Sequence, residues 1–423
     1  MKRKAGTESG KQVGALRSVL LPMVAGIAAT RNGLMEFVHD AGLRALAELL
    51  RADAEDIAGP KGKHRAARQY NHWGTAPAEL TFGGRRISVR RPRVRSRDGG
   101  ERELPAIREF QEVDPLPERV VEQILLGVST RGYEPSLDAA PPGVRSRGTS
   151  KSAASRHLVE RTATRMRDHL TRRLEDLDLI GLFIDGIEFV GHTVVVALGV
   201  TLDGTKVPLG MWLGGTESAA VCTALVSNLV ERGLRIDDQV LCVIDGGKAI
   251  RKALGAVLGD RAVIQRCQVH KSRNVLDQLP DSRRPYVRKL MRDAYRSGSF
   301  DTARRRLKQL ASWLEKNGEV DAAASLREGM DETLTVLKLD LPATLCRTFA
   351  TTNPIENMNG TIRRVSRNVK RWRGGGMIKR WVALGVIAAQ RKFRRIKGHR
   401  DLPLLVRALR GGTAKVDSKK KAA

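Results

Sequence analysis

The stretch Ile180-Gly181-Leu182-Phe183-Ile184-Asp185, between Leu179 and Gly186, decides how this chain is read. It is an apolar run of strand length that closes on a carboxylate, bounded by a glycine turn signal. The same pattern recurs at Leu241-Cys242-Val243-Ile244-Asp245, followed by Gly246-Gly247. Between them, His192 to Val200 reads as a second strand, Asp203-Gly204 as a hairpin turn and Val207 to Leu213 as a third strand. Thr216 is expected to cap a helix over Glu217–Arg232, and Val240 to Ile244 forms the fourth strand. A helix over Lys248–Leu258 and a short fifth strand from Ala262 complete the set.

Three antiparallel strands, then helix, strand, helix, strand, is the element order of a ribonuclease H-like core. The predicted fold class is therefore α/β, with such a core in two parts. Its first part spans residues 176–270 and its completion 351–398; between them residues 271–350 read as an all-helical insertion, with helices such as Ser299–Lys316 and Val320–Gly329. Residues 1–115 read as an N-terminal region for DNA binding or dimerisation. It holds a helix, Gly33–Arg51, and a hairpin whose arms, Leu80–Phe82 and Ile87–Arg95, meet at Gly83-Gly84. The arginines of its second arm suit either a phosphate contact or a charged edge strand. Residues 116–175 suggest a helix-turn-helix, with helices Pro117–Leu126 and Ala153–Thr164 and an unusually long turn through Pro141–Gly148. Residues 399–423 are expected to be a tail.

Composition narrows the partners. The 423 residues hold 76 Lys+Arg against 46 Asp+Glu, a formal net charge of +30. That excess points to a polyanion, and nucleic acid before an anionic membrane, since no basic amphipathic helix dominates. Candidate DNA contacts are Arg156 and Arg161 on the second helix, Lys271 and Arg273, Asn353, and the basic run containing Arg363, Arg364, Lys370 and Arg371. Trp372 is a candidate for stacking on bases. Four cysteines in so long a chain exclude a disulfide scaffold and suit a reducing cytoplasm. No apolar run is long enough for a membrane span. Val19 to Ala29 has the look of a signal peptide, but its long polar lead with Glu8, and Pro22 within it, argue against secretion.

Three carboxylates stand out by placement. If the first and fourth strands are neighbours, Asp185 and Asp245 meet, and the helix beginning near Asn353-Pro354 delivers Glu356 from the side. Such a cluster repels itself unless a divalent cation neutralises it, and Mg²⁺ suits oxygen ligands and phosphate chemistry. Two ions ~3.5–4 Å apart would stabilise both oxygens of an in-line displacement at phosphorus. Each site also has an ordinary structural reading. Asp-Gly at a strand end is often only a turn. With Asn353 as N-cap, Glu356 falls at the capping-box position. Cys267 and His270 form a Cys-x-x-His pair, but zinc needs about four ligands and no second pair is evident, so a structural or DNA-adjacent role is favoured.

From about residue 80 to 395 the chain resembles the Mutator-type transposases of bacterial insertion sequences. The resemblance is carried by Leu125–Arg131, Leu182–Gly186, Leu209–Gly214, Ser218–Ala220, Ile244–Gly246 and, most specifically, by Gln265–Val275 and Thr351–Asn359. It implies a DDE transposase in which Asp185, Asp245 and Glu356 are catalytic and hold Mg²⁺ or Mn²⁺. It further implies binding to terminal inverted repeats and target DNA, cleavage that frees a 3′-hydroxyl, strand transfer by that hydroxyl, and at least a homodimer in the DNA complex of a bacterial, nucleoid-associated protein. Two departures are local: Gly246-Gly247-Lys248 after the second carboxylate, and a longer segment at 136–149. A metal nuclease of the same fold without strand transfer, or a non-catalytic DNA-binding descendant, are the alternative readings.

Overall fold

The computed structural model describes residues 31–62, 68–82, 84–112, 115–137, 145–147, 149–236 and 238–410. The Val19–Ala29 stretch, Gly83, most of the 138–148 turn and the last residues, 411–423, lie outside the described residues. The chain divides into two compact units, Met1–Arg161 and Thr162–Ala423. No helix among the described residues is long and apolar enough to cross a membrane.

In the first unit a helix over Arg31–Ala58 buries Leu46, Leu50, Ala54 and Ala58, a strict four-residue spacing that makes one apolar stripe. The stripe packs with Leu80 of β1 (Tyr70–Phe82), Val94 of β2 (Arg85–Ser96), and Leu104 and Ile107. Phe82 faces Arg85 in the antiparallel register, so the connection is the two-residue one expected. Gly84 has φ +83, and its carbonyl accepts a bond from the hydroxyl of fully buried Tyr133 at 3.0 Å. The strand is not an edge. β2 pairs β1 on one side, and β3 (Glu101–Arg102) and β4 (Ser146–Arg147) on the other. Its arginines are partly engaged: Arg91 and Arg93 both bind Glu101, at 2.9 and 2.7 Å, and Arg90 binds Thr75. Glu101 is lowered to about 2, chiefly by its hydrogen bond from Arg93.

In the 116–175 region two helices flank a long connection. One helix runs over Leu116–Leu125, and the next begins at Lys151 and continues to Thr171. The described residues of the connection include a 3₁₀ turn at Glu134–Ser136 and the β4 pairing to β2.

The second unit is built on a five-stranded sheet in the order β7-β6-β5-β8-β9. β5 (Leu179–Phe189), β6 (His192–Thr201) and β7 (Lys206–Gly214) are antiparallel; β8 (Val240–Ile244) and β9 (Ala262–Arg266) run parallel to β5. Their side chains alternate between two cores. Leu182, Ile184, Cys242 and Ile244 face the helices Ala219–Glu231 and Lys248–Leu258. Phe183, Ile187, Leu241 and Val243 face a helical layer that includes Asn353–Ser366 and Gly375–Gln390. From Gln268 to Phe349 the described residues form helices and turns only, the longest over Phe300–Lys316, capped by Ser299. Buried Gln265 of β9 ties this region to the sheet. Its amide donates to the Thr333 carbonyl and accepts from the Val336 N–H, each at 2.9 Å.

Three boundaries differ from the expectation. β5 does not stop at Asp185, because β6 continues to pair with it as far as Phe189 while β8 ends at Ile244. The helix after β7 starts at Ala219, capped by Ser218 rather than Thr216, since the Ser218 hydroxyl accepts from Val221 N–H. Residues 402–410 are helical rather than tail, because Leu402, Leu405, Val406 and Leu409 present a buried face.

The Asn353–Ser366 and Gly375–Gln390 helices meet closely at Gly385, where an added Cβ would lie 2.6 Å from the Ile362 Cα. Gly385→Ala is expected to lower the unfolding free energy by about 1–3 kcal/mol, as overpacking does. An unchanged urea midpoint would show that the helices separate without strain.

Candidate active site

The register of two strands builds the site. β5 and β8 are parallel, with Phe183 opposite Val243 and Ile184 opposite Ile244. The next residues, Asp185 and Asp245, therefore emerge level with each other and, by the two-residue alternation, on the Phe183/Val243 face. Each carboxylate is oriented by a backbone N–H just after it, within β5 for Asp185 and in the turn after β8 for Asp245. Asp185 Oδ1 accepts from Gly186 N–H at 3.0 Å, and Asp245 Oδ1 from Gly247 N–H at 2.8 Å. Arg266, at the end of β9 and 8% exposed by side chain, donates to the Gly246 carbonyl at 2.6 Å and to that of Glu328, fixing the second turn against the helical region.

The Asn353–Ser366 helix covers this face with Ile355, Met358 and Ile362. Asn359 is buried one turn after Glu356, and its amide donates to Asp185 Oδ2 at 2.7 Å. Thr352, not Asn353, is the N-cap; Asn353 is the first helical residue and Pro354 the second. Glu356 thus falls one position beyond the capping box. Its carboxylate accepts from the Thr352 hydroxyl at 2.6 Å and stands 3.8 Å from His270 Nε2.

Cys267 is fully buried and caps the helix Gln268–Asp277. Its sulfur accepts from His270 N–H at 3.5 Å and from Thr352 N–H at 3.4 Å, and the Thr352 hydroxyl oxygen stands 3.4 Å from it. Burial alone would raise the thiol, but its side-chain hydrogen bond with His270, followed by those of Thr352 and the backbone, outweighs it and lowers its pKa. His270 is held above the usual imidazole range by its pairing with Cys267, with help from Glu356 and Asp245. The Cys-x-x-His pair and Thr352 therefore form one connected group that holds Glu356.

A fourth carboxylate joins the site. Glu217, freed from the helix by the cap at Ser218, lies over both Gly186 and Gly247. A Cβ on Gly186 would collide with Glu217 Oε2, and one on Gly247 would come within 2.8 Å of Oε1. The electrostatics record the crowding. Asp185 is pushed up to about 6 by burial and then by Asp245, and Glu217 to about 7 by burial and then by Asp245 and Asp185.

These carboxylates form an oxygen-only donor set with unneutralised charge, which suits a hard divalent cation. Asn359 Oδ1, buried without a hydrogen-bond partner, is a further oxygen beside Asp185. As the side chains stand, no three His, Cys, Asp or Glu groups among the described residues converge closely enough to enclose an ion. Asp185 and Asp245 come together, and Glu356 is turned towards Thr352 and His270.

The remaining expected residues scatter. Arg273, Asn353, Arg363, Arg364, Lys370 and Arg371 are exposed in the second unit. Arg156 and Arg161 are exposed in the first, where Arg161 pairs with Glu118 at 3.5 Å. Lys271 is not at a DNA-facing surface. It is 2% exposed, and its ammonium donates to the carbonyls of Ser325 and Glu328 at 2.7 and 2.8 Å. Trp372 packs edge-on against Phe189, 5.0 Å between centroids.

The family profile described as "Transposase, Mutator family" matches residues 23–395. The chain belongs to the Mutator family of transposases. Relatives of this transposase family are named as transposases for insertion sequence elements. A probable transposase for an insertion sequence element from Corynebacterium diphtheriae is 28% identical over 44% of this chain and 52% of its own length. The transposase for insertion sequence element ISRM3 from Rhizobium meliloti is 30% identical over 41% of this chain and 42% of its own. That for IS905 from Lactococcus lactis is 24% identical over 79% and 84%. The matched region thus spans about half the length of the first two relatives and most of the third.

Glu217, Asn359 and Thr352 were absent from the sequence-based set of site residues. Thr352 and Asn359 carried a signal, lying four residues before and three after Glu356 on a helix. Glu217 carried none, because its placement depends on where the next helix is capped.

Because the Glu217 pKa is raised, the folded metal-free protein holds a proton that the unfolded chain releases at lower pH. Stability is therefore lost as pH rises from the unfolded value of ~4.3 towards about 7. Glu217→Gln should remove part of that loss. In EDTA, its urea midpoint should fall less than wild type's between pH 5 and 8. Parallel pH profiles would refute the crowding.

Proposed function

We propose that this chain is a DDE transposase with a ribonuclease H-like catalytic core. In this reading it binds the terminal inverted repeats of its element, cleaves DNA at their ends and transfers the freed 3′-hydroxyl to another phosphodiester. The observation that carries the reading is the level placement of Asp185 and Asp245 on neighbouring parallel strands, on the face covered by the Glu356 helix. The sheet order and the helical segment Gln268–Phe349 support a core interrupted by an all-helical insertion.

Asp185, Asp245 and Glu356 would hold Mg²⁺ or Mn²⁺, with Glu217 and Asn359 beside them. The bound cation supplies charge neutralisation for the carboxylates and for the reacting phosphate. Asn359 and the Gly186 and Gly247 N–H groups fix the two aspartates. Thr352 and His270 hold Glu356 at the side of the site. In-line transfer at phosphorus needs positioning more than covalent chemistry, so no protein–DNA bond is required and one site serves both steps. The exposed Arg156, Arg161, Asn353, Arg363, Arg364, Lys370 and Arg371 would contribute DNA contacts, and binding should weaken steeply with salt. Joining two element ends calls for at least a dimer in the DNA complex.

The test is cleavage and joining of a labelled element end with Mg²⁺. Asp245→Asn should bind the end normally and lose both steps by at least ~10²-fold. Equal cleavage by the variant would displace the site. Cleavage by wild type without joining would mark a nuclease, and binding without cleavage a non-catalytic descendant. Thr352→Val, which leaves every proposed cation ligand in place, should slow both steps by ~10–100-fold with DNA affinity unchanged. A wild-type rate would show that Glu356 needs no such support.

A further inference from the structure

The helical region carries a feature that the catalytic reading does not use. A cavity of about 490 Å³ opens among the helices Gln268–Asp277, Arg284–Tyr295 and Ala343–Phe349. Six arginines line it: Arg273, Arg284, Arg288, Arg292, Arg296 and Arg347. Against them stands a single acid in the lining, the exposed Asp277. Arg284 pairs with Asp281 at 2.6 Å, and Arg292 lies 3.9 Å from Asp293. Arg273, Arg288, Arg296 and Arg347 have no carboxylate partner among the described residues.

Arg284, Arg288, Arg292 and Arg296 succeed one another every fourth residue. On a helix that spacing puts them on one face, ~6 Å apart in a row of ~18 Å. Like charges at this spacing destabilise a helix. A row that long faces several phosphates of one strand, which in duplex DNA follow every ~3.4 Å of axis.

Beneath the arginines the cavity is apolar, with Leu276, Val336 and Leu337 lining it. A plain phosphate track has no use for such a floor, whereas a nucleobase drawn out of its stack needs an apolar surface and room of this size. The cavity also borders the candidate active site. Its lining residues Gln268 and Thr351 are the direct neighbours of Cys267 and Thr352.

We propose that this cavity receives an unpaired nucleotide of a DNA strand, its base on the Leu276/Val336/Leu337 floor and the strand's phosphates on the arginine row of Arg284–Arg296. The inference rests on the DNA-processing function proposed above and assigns the helical region a role in it: gripping a single strand beside the carboxylates.

The test uses the full chain in EDTA, so that binding is read without cleavage. The probes are a 12-nucleotide single strand with one central 2-aminopurine and a blunt duplex of the same sequence. Two variants change exposed lining residues: Arg288→Ser with Arg292→Ser, and Val269→Asp, where Val269 is 45% exposed at the cavity. Wild type should bind the single strand with a rise in 2-aminopurine fluorescence, as the base leaves its neighbours. Both variants should lose about tenfold in single-strand affinity and the fluorescence rise, with less than threefold change on the duplex. The double variant should also reduce the single-strand salt slope by ~1.4, about 0.7 for each lost phosphate contact. Unchanged single-strand affinity overturns the proposal. So does an equal loss on both probes, which would mark a backbone track without a base pocket. In either case, cleavage by wild type but not Asp245→Asn leaves the catalytic reading standing. If wild type binds neither probe, that reading falls as well.

Discussion

The structure around the site depends on a constraint of register. β5 and β8 run parallel, paired so that Ile184 faces Ile244, and this brings two carboxylates to the same height on the same face. A slip of one residue on either strand would send one aspartate into the opposite core, among Cys222, Leu225 and Ile250. The continuous apolar runs before Asp185 and Asp245 prevent that slip, because both faces of the sheet are buried and every side chain has an assigned layer. Burial and then repulsion between the carboxylates oppose the arrangement, and both push the Asp185 and Glu217 pKa values up. The hydrophobic layers on either side hold together what electrostatics would separate.

A second chain of dependence runs through Cys267. Its N–H extends the β8–β9 pairing by bonding the Ile244 carbonyl at 2.7 Å, and its sulfur receives Thr352 from the start of the Glu356 helix. One small, fully buried side chain thus connects the strand that presents Asp245 to the helix that presents Glu356. A larger residue would not fit there, and a residue without an acceptor would leave the buried Thr352 N–H unpaired. The Cys-x-x-His spacing accordingly has a complete structural explanation in which sulfur acts as a hydrogen-bond acceptor.

Most of the second unit was legible in the sequence because its strands are buried on both faces and so read as unbroken apolar runs between glycine turns. The strand order followed from the alternation of elements, and the pairing of β5 with β8 followed from the order. Where the reading erred, long-range partners decided the outcome. β5 outlasts Asp185 because β6 does, and β4 enters the loop before Lys151 because β2 offers an open side. Lys271 carries the charge of a DNA contact, but the carbonyls of Ser325 and Glu328, more than fifty residues away, draw it inside. Thr352 and Asn359 were within reach of helical spacing alone. Glu217 was not, since a two-residue shift in a helix cap, from Thr216 to Ser218, determines whether it lies in the helix or beside the aspartates.

The glycines after each aspartate are the least conspicuous part of this design. Gly186 and Gly247 form a seat for the Glu217 carboxylate, and a methyl group in either position would occupy it. Gly186 has no need of unusual backbone freedom, so alanine could replace it without disturbing the strand. Insertion-sequence copies decay by point mutation, and a census of working copies would naturally count the acidic residues. A copy with alanine at 186 would pass that census with all its acids intact, yet one of them would have been displaced by a single carbon atom.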